Sequence, residues 1–423
     1  MATDGNTRQR VVVLGGGFAG VGAARALKKT DADIVLIDKH DYHTFQPLLY
    51  QVATDLLETS AVGHPLRDLF DDQPNVTVHQ TAATAVDLAT REVQLDGMPP
   101  LRYDHLILAL GAKVDFFGTG GADEHSFPMY TLADAIRLRA HTLERWEATD
   151  KDPSLVDDGA LNVVVVGGGP TGVESAGALA ELYRSVFSKD YPSIPTDKAT
   201  ITLVEAGPEL FTMFKPSLRS YTRKALGKAG VEVLTGEAVS SVAPTRVTLK
   251  SGTVLNAHTV VWGAGLQAAP IVKTLGIELR HGDRVPVGPD LTLEGHPEVS
   301  VVGDIAWITD GNTDDVLPQL GSVSLQSGEH AGNNVARALK GKNTTPFEYK
   351  DKGTMATIGR GAAVVQFQGG HTMKGKAAWL AWGAVHLTLL STGEDRAKAV
   401  VDWTWMAFHH ERASRIIINP DDD

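Results

Sequence analysis

The sequence predicts an α/β protein with two Rossmann-like domains, one inserted in the other, and a C-terminal helical region. Three observations support this fold class. A β-branched segment, a glycine-rich turn and a helix-forming segment occur in that order twice, at residues 10–29 and 161–187. Short apolar segments typical of buried strands follow each copy. The last part of the chain changes to short strands and two aromatic-rich helical segments.

The elements follow from apolar segments that alternate with glycine turns. In the first unit we predict strands at 10–16, 32–39, 76–80 and 105–112, and a helix at 19–29. In the second we predict strands at 161–169, 198–207, 231–236, 247–252 and 259–265, and a helix at 172–187. A strand at 298–306, a helix at 325–341, short strands at 354–375 and two helical segments at 377–408 come next. The repeat indicates duplication of one nucleotide-binding unit and not a solenoid.

Composition excludes several classes of function. The 423 residues, 43% of them hydrophobic, are enough for two or three domains with real cores. A net charge of −12 makes nucleic-acid binding a poor candidate. The chain has no cysteine, which excludes disulfides, thiolate metal sites and cysteine nucleophiles. The first ten residues lack the apolar core of a signal peptide, and no apolar run reaches the ~20 residues of a membrane span.

The first glycine turn has the residues that a dinucleotide needs. Gly15 permits the tight turn, Gly17 leaves room for a pyrophosphate, and Gly20 lets the helix pack on the strand. Phe18 and Ala19, within the turn, belong to the same predicted cradle. Asp38, which ends the next strand, is expected to bind the adenosine ribose.

The second turn repeats this spacing with Gly167, Gly169 and Gly172, and Thr171 lies inside it. Glu205 ends the following strand, and its charge favours NADH because it would repel the 2′-phosphate of NADPH. Two such turns predict two Rossmann-like dinucleotide-binding domains. We interpret one dinucleotide as a resident flavin nucleotide and the other as an exchanging nicotinamide nucleotide, which together permit hydride transfer.

Several segments together resemble the type II NADH dehydrogenases, single-chain FAD-containing NADH:quinone oxidoreductases. They are Tyr42–Ala53 (YHTFQPLLYQVA), GGGPTGVESAGALAEL, LVEAGPELF, VVWGAGLQAAP, VSVVGDIA and the region of DWTWMAF and RASRII. The glycine motifs are common to the wider superfamily of flavoproteins with two dinucleotide-binding domains. The FQPLLYQVA segment and the C-terminal region point to this branch.

The resemblance implies cofactor sites and domain limits. The FAD residues are Gly15, Gly17, Gly20, Asp38, Lys39, Ala83, Gly111 and Asp304. The NADH residues are Gly167, Gly169, Gly172, Glu205, Gly263 and Gly265. The implied domains are FAD-binding at 1–115 and 281–345, NADH-binding at 116–280, and C-terminal strands and amphipathic membrane-associating helices at 346–423.

The resemblance also implies catalytic residues. Glu174 matches a glutamate near the nicotinamide and the flavin. The alternative is a first-turn carboxylate favoured by the helix dipole, which gains little because the bound pyrophosphate is already at that end. The family's quinone signature, A-Q-x-A-x-Q, corresponds here to GSVSLQ, in which Gln326 is kept and Ser322 replaces the first glutamine. A serine hydroxyl has a shorter reach, and its one oxygen must serve where an amide has separate donor and acceptor groups, so this departure leaves the identity of the electron acceptor open.

The C-terminal region is predicted to dock on a membrane. Trp379, Trp382, His386 and Leu389 fall on one helical stripe, flanked by lysines and arginines. The competing interpretation is that these aromatic residues pack on the protein or on a partner subunit. We expect a lipid surface at about residues 376–418, a peripheral position on the cytoplasmic face of the cell membrane, and a homodimer as one possible assembly. His409 and His410 are interpreted as surface residues, and no metal site is predicted.

The leading hypothesis is NADH:quinone oxidoreduction without proton pumping, with FAD as resident cofactor and a membrane quinone as acceptor. One alternative is a soluble NADH-dependent flavoprotein reductase with a non-quinone acceptor. Another is a slow redox-sensing module that holds FAD and NADH. Sulfide oxidation and disulfide reduction are excluded because they depend on cysteines.

Overall fold

The computed structural model describes residues 8–311, 313 and 315–409, with side chains as far as Trp405. The α-helices are α1 (Phe18–Ala26), α2 (Leu49–Ala53), α3 (Ala122–His125), α4 (Leu132–Lys151), α5 (Pro170–Leu182), α6 (Ser188–Asp190), α7 (Pro216–Lys228), α8 (Gly321–Ala338), α9 (Lys376–Leu389) and α10 (Gly393–His409).

The strands of the first half are β1 (Arg10–Leu14), β2 (Asp33–Asp38), β3 (Tyr42–Thr44), β4 (Gly63–Pro65), β5 (Val76–Gln80), β6 (Ala83–Asp87), β7 (Glu92–Leu95), β8 (Met98–Arg102), β9 (His105–Leu108), β10 (Ala112–Val114), β11 (Phe127–Pro128), β12 (Val163–Val166) and β13 (Ile201–Glu205). Those of the second half are β14 (Val231–Thr235), β15 (Val239–Ala243), β16 (Arg246–Leu249), β17 (Val254–Asn256), β18 (Thr259–Trp262), β19 (Leu266–Ala268), β20 (Val285–Pro286), β21 (Thr292–Leu293), β22 (His296–Val301), β23 (Ala306–Trp307), β24 (Thr354–Gly359), β25 (Ala362–Gln366) and β26 (Thr372–Lys374).

The chain divides into two compact units. The first contains residues up to 44, 64–113 and 266–350, and the second contains 45–63, 114–265 and the residues from 351 on. This division places 45–63 with the second unit and 266–280 with the first, and it groups the C-terminal region with the second unit. The domain limits given above by cofactor differ in these segments and stay a prediction.

The first unit is built on a sheet in the order β21-β22-β9-β1-β2-β5. Its strands from β22 to β5 run parallel, and the central strands β1 and β9 are apolar and buried after their first residues, as expected where both faces of a sheet are covered. Helix α1 lies close against α8, where Cβ atoms at Gly328 and Gly332 would be only 2.0 Å from Ala19 O and 2.5 Å from Ala23 O. The predicted helix at 325–341 is confirmed, but it already begins at Gly321.

The second unit contains a parallel sheet in the order β11-β18-β12-β13-β14. Helix α5 follows β12, as predicted, and continues into one π-type turn at Tyr183–Phe187. The antiparallel sheet β24-β25-β26 confirms the short strands predicted at 354–375, and α9 and α10 confirm the two helical segments. Helix α5 packs directly on β24: a Cβ at Gly177 would be 1.9 Å from Ile358 O.

We expect Gly177→Ala to lower the stability of the second unit by about 1–3 kcal/mol, because the added methyl group overlaps a main-chain carbonyl. The measurement is thermal unfolding followed by circular dichroism. The matched control is Gly227→Ala on α7, where a Cβ meets nothing within 4 Å. The control should stabilise by about 0.5–1 kcal/mol. Equal unfolding temperatures for the two variants would contradict the close packing of α5 on β24.

Candidate active site

The first glycine turn forms a cradle with the predicted division of roles. Gly15 has a φ of +106°, and a Cβ there would be 2.2 Å from Ala109 O. A Cβ at Gly20 would be 1.7 Å from Gly15 O, so only glycine allows α1 to start this close to β1. At Gly17, which precedes α1, a Cβ meets nothing within 4 Å. The space in front of the free N–H groups at the start of α1 is therefore open.

The other predicted residues of the first site lie at the carboxyl ends of neighbouring parallel strands. Asp38 ends β2 and its Oδ2 accepts a hydrogen bond from Gly16 N at 2.6 Å. Lys39 follows it, Ala83 begins β6 soon after β5, and Gly111 follows β9. In the sheet, Leu14 pairs with Leu108, and Asp38 pairs with Gln80. The predicted residues of the first site thus lie together at the carboxyl edge of one sheet, where a doubly wound fold binds its ligand.

Asp304 completes this edge, because it follows β22 and Val301 pairs with Leu108. Ser324 on α8 donates to its Oδ1 at 2.9 Å, and Gln319 donates to its main-chain oxygen at 2.9 Å. Ser327 accepts from Gly303 N at 3.1 Å. Phe18 and Ala19 begin α1, and Ala19 packs below the same turn. Sequence reasoning missed Ser324 and Ser327, since only the packing of α8 on α1 reveals what they hold.

The second turn repeats the geometry in the second unit. Gly167 has a φ of +112°, and a Cβ at Gly172 would be 1.9 Å from Gly167 O, whereas one at Gly169 meets nothing within 4 Å. Glu205 accepts from Gly168 N at 2.5 Å through Oε2 and from Gly207 N at 2.6 Å through Oε1.

Two further predicted glycines close this second cradle. Gly263 follows β18, and a Cβ there would be 3.0 Å from Gly172 N and 3.3 Å from a carbon of Thr171. Gly265 has a φ of +71° and packs on Phe117. The structure thus brings together the predicted residues of the second site.

Glu174 lies on α5, beyond its first turn and 8% exposed. Its Oε1 accepts from Thr357 N at 3.0 Å and from Thr357 Oγ1 at 3.4 Å. Burial raises the pKa of Glu174 to about 8, and the hydrogen bonds from Thr357 oppose this rise. The interpretation as a carboxylate at the helix end is therefore wrong, because the carboxyl group is directed to strand β24.

Glu174 lines a cavity of about 270 Å³ in the second unit. The walls are mostly apolar and come from α9 and α10 together with α2, α5 and β24. The lining residues are Tyr50, Gln51, Leu56, Glu174, Ala178, Glu181, Thr357, Gly359, Arg360, Trp379, Leu380, Trp382, Gly383, Ala384, Leu387 and Trp403. The Trp382 side chain is 3% exposed, and its Nε1 has no hydrogen-bond partner among the described residues.

Comparison with known proteins fits this arrangement. The model of the pyridine nucleotide-disulphide oxidoreductase family matches residues 9–333. The chain is 35% identical over 413 residues to the type II NADH:quinone oxidoreductase NdhA of Mycobacterium tuberculosis, covering 94% of this chain and 86% of the relative. The chain belongs to the type II NADH:quinone oxidoreductases. Within that family it is also 28% identical to the enzyme of Staphylococcus saprophyticus, over 88% of this chain and 92% of the relative.

Solved structures agree in fold. The structure of NDH2 from Plasmodium falciparum in complex with NADH has a TM-score of 0.89 at 19% identity, covering 97% of this chain and all (100%) of that one. The sulfide:quinone oxidoreductase of Aquifex aeolicus has a TM-score of 0.74 at 18% identity, covering 95% of each chain. Both likenesses show the α/β fold.

The residues at the family's quinone signature have structural partners in the first unit. Ser322 Oγ is 2.9 Å from Tyr349 OH. The amide of Gln326 donates to Lys350 O at 3.1 Å and accepts from Lys350 N at 3.0 Å. Neither residue belongs to the lining of the cavity beside Glu174. Their catalytic role stays a prediction.

The predicted aromatic stripe of α9 does not face outward as a whole. Trp382 and His386 are buried and stack with ring centroids 4.2 Å apart, and burial lowers the pKa of His386 to about 4. The outward prediction was wrong for these two residues, since helical periodicity identifies a face but not what covers it. Leu389 of the predicted stripe is exposed, and the other exposed large apolar side chains described on α9 and α10 are Leu380, Val385, Val400, Val401 and Trp405.

Two further expectations concern membranes and metals. No helix in the described part of the chain has the length and hydropathy needed to cross a bilayer. The described residues contain no cluster of metal-ligating side chains. The side chain of His409, and His410, Arg412, Arg415 and the remainder of the predicted lipid surface to 418, lie outside the described residues.

We expect Gly17→Val to leave the apoprotein folded and to lower FAD affinity roughly tenfold or more, because the side chain enters the cradle at a position where a Cβ meets no protein atom within 4 Å. The flavin content of purified protein and the unfolding temperature of the apoprotein measure this. The matched control, Gly169→Val, should keep the flavin but lose its reduction by NADH. Loss of flavin in both variants would contradict the assignment of one dinucleotide to each cradle.

Proposed function

We propose that this enzyme oxidises NADH and passes two electrons to a membrane quinone without pumping protons. The observation that carries this proposal is the cavity beside Glu174. It joins apolar walls, which suit a hydrophobic ring, to a buried carboxyl group on the helix that begins at the second cradle. The whole-chain relation to the type II NADH:quinone oxidoreductases supports the same reaction.

The first cradle fits FAD. The open space at Gly17 and the N-terminus of α1 suit its pyrophosphate, and Asp38 lies where the adenosine ribose is expected. Held there, FAD would supply hydride acceptance and electron release, which is chemistry that no side chain of this chain supplies. Asp304, held by Ser324 and Gln319, would bind the ribityl chain.

The second cradle fits NADH. Its open position is Gly169, and Glu205 lies beside it with both carboxylate oxygens held by main-chain N–H groups. This carboxylate is fixed in place, so the 2′-phosphate of NADPH would meet a negative charge that cannot move away. We infer that the enzyme prefers NADH for this reason.

The cavity offers a quinone one proton donor and one hydrogen-bond donor. Reduction of the quinone by NADH consumes one proton from solvent in addition to the hydride, and the products are NAD⁺ and quinol. With a pKa of about 8, Glu174 is mostly protonated at neutral pH and can give its proton to a quinone oxygen. The unpaired indole N–H of Trp382 matches the carbonyl oxygen that a quinone carries.

The exposed apolar residues of α9 and α10 support a lipid-facing role. Leu380 and Leu389 are 66% and 51% exposed on the helix that also lines the cavity. Lys374, Lys376 and Arg396 lie nearby in the chain, as in helices that rest at a bilayer interface. We therefore infer a peripheral position on the cytoplasmic face of the cell membrane, where a hydrophobic acceptor is available. A second copy of the chain is the competing occupant of this face.

We expect Glu174→Gln to lower quinone reduction about 100-fold, because the amide cannot give up a proton. Turnover with ferricyanide, which needs no proton, should stay within about twofold. In the parent enzyme, quinone reduction should fall as the pH rises through about 8. Steady-state rates with a quinone analogue and with ferricyanide measure both. An equal loss with the two acceptors would point to NADH binding instead, and activity with ferricyanide alone in the parent would favour a non-quinone acceptor.

We expect Leu380→Asp and Leu389→Asp each to weaken binding to anionic lipid vesicles about tenfold or more, because each removes an apolar side chain from the interface and adds a negative charge. Vesicle flotation measures this. The matched control is Val254→Asp on β17, which is 51% exposed like Leu389. Unchanged flotation together with a smaller mass on size exclusion would show that a second copy, not lipid, covers this face.

A further inference from the structure

A chain of hydrogen bonds runs from helix α10 to Glu174 in the second unit. Trp403 Nε1 donates to Gln51 Oε1 at 2.8 Å, and Gln51 Nε2 donates to Tyr50 OH at 3.0 Å. Tyr50 OH is 2.9 Å from Thr357 Oγ1. Thr357 Oγ1 in turn reaches Glu174 Oε1 at 3.4 Å. Four successive hydrogen bonds therefore connect an indole on α10 with the buried carboxyl group.

The chain has a defined direction. An indole N–H only donates, so the oxygen of the Gln51 amide must face Trp403. The amide NH₂ then faces Tyr50, and the Tyr50 hydroxyl hydrogen is left to point at Thr357. The Thr357 hydroxyl, which accepts from Tyr50, donates to Glu174. Each donor thus points toward the carboxyl group.

The surroundings preserve this direction. Gln51, Tyr50 and Thr357 are buried, so water does not compete for their hydrogen bonds. Burial, together with the charge of Glu174, raises the pKa of Tyr50 well above its ordinary value, so its hydroxyl stays a donor. In this environment the orientation of one group sets that of the next.

We propose that Trp403 is a positioning residue that, through the Gln51 amide, keeps the Thr357 hydroxyl directed at Glu174 and so sets the proton affinity of its carboxyl group. Its effect on turnover rests on the proposed function, in which Glu174 gives its proton to a quinone. Its effect on the proton affinity itself does not. Helix α10, which carries Trp403, becomes part of the acid–base site through this chain.

Removal of the indole N–H allows the chain to reverse. The Gln51 amide can then rotate and offer its oxygen to Tyr50, which donates to it. The Thr357 hydroxyl turns to Tyr50, and Glu174 loses one of its two donors but keeps Thr357 N. A carboxylate with fewer donors holds its proton more strongly, so the pKa of Glu174 should rise.

Other charged groups do not confuse this effect. The titratable and charged residues that line the cavity with Glu174 are Tyr50, Glu181 and Arg360. Arg360 N donates to Glu181 Oε2 at 3.2 Å. Burial is the largest cause of the raised pKa of Glu174, and the hydrogen bonds from Thr357 oppose it. Substitution of Trp403 changes none of these charges.

The test is infrared titration of the Glu174 carboxyl band in FAD-loaded, detergent-solubilised full-length enzyme, with the band assigned by its loss in Glu174→Gln. Trp403→Phe keeps an aromatic ring and removes the donor. We expect it to raise the midpoint by about 0.5–1 pH unit, the size of one net hydrogen bond. Gln51→Met removes the amide oxygen to which Tyr50 would turn, so alone it should leave the midpoint unchanged, and in the Trp403→Phe background it should restore the parent midpoint. Trp405→Phe, on the exposed part of α10, is the matched control and should leave the midpoint unchanged.

An unchanged midpoint in Trp403→Phe would overturn the proposal, as would an equal shift in Trp405→Phe or a double variant that keeps the full shift of Trp403→Phe. Should Trp403→Phe not fold, Trp403→Leu, which also lacks the donor, takes its place. In the pH profile of kcat/KM for the quinone, the midpoint of the basic limb should move to higher pH in Trp403→Phe, by the same amount as the infrared midpoint. If the infrared midpoint moves and quinone turnover is absent, the proposed function fails while the positioning role stands.

Discussion

The close approach of α5 to β24 is the constraint on which the site depends. Gly177 lacks a side chain, so the Ile358 carbonyl comes within a distance that any Cβ would prevent. Thr357, the neighbour of Ile358, therefore reaches Glu174, one turn before Gly177 on the same helix. That contact places the carboxyl group against β24 and gives it the hydrogen bonds from Thr357, which oppose the rise in its pKa caused by burial.

The two glycine turns show how far local sequence determines a site. In each turn the first glycine has a positive φ, the second has open space around its Cβ position, and the third lies against the oxygen of the first. In each, an acidic side chain accepts a hydrogen bond from the N–H of the residue after the first glycine. These features depend on residues close in sequence or on the ends of adjacent strands. They could be predicted because the sequence of strand, glycine turn, helix and acidic residue restricts the local backbone to few conformations.

The cavity could not be predicted in the same way. Thr357, Tyr50 and Trp403 line the same cavity as Glu174 although they lie far from it in the sequence, and no spacing rule relates them. Helix α9 shows the same limit of sequence-based prediction. Its helical period identified Trp382 and His386 as one face but left open which surface covers that face. At the quinone signature, Ser322 contacts the Tyr349 hydroxyl and Gln326 bonds the main chain of Lys350, which a motif read along the sequence does not reveal.

The apolar walls explain why a buried acid and a hydrophobic acceptor belong together. The tryptophan-rich lining that would accept a quinone ring also removes water from Glu174, and this loss of water raises its pKa. The same walls thus provide affinity for the ring and keep a proton on the carboxyl group at neutral pH. A more polar cavity would weaken both effects at once, because each depends on the exclusion of water. The hydrogen bonds from Thr357 limit the rise, so that the carboxyl group still releases its proton near the pH of the cell.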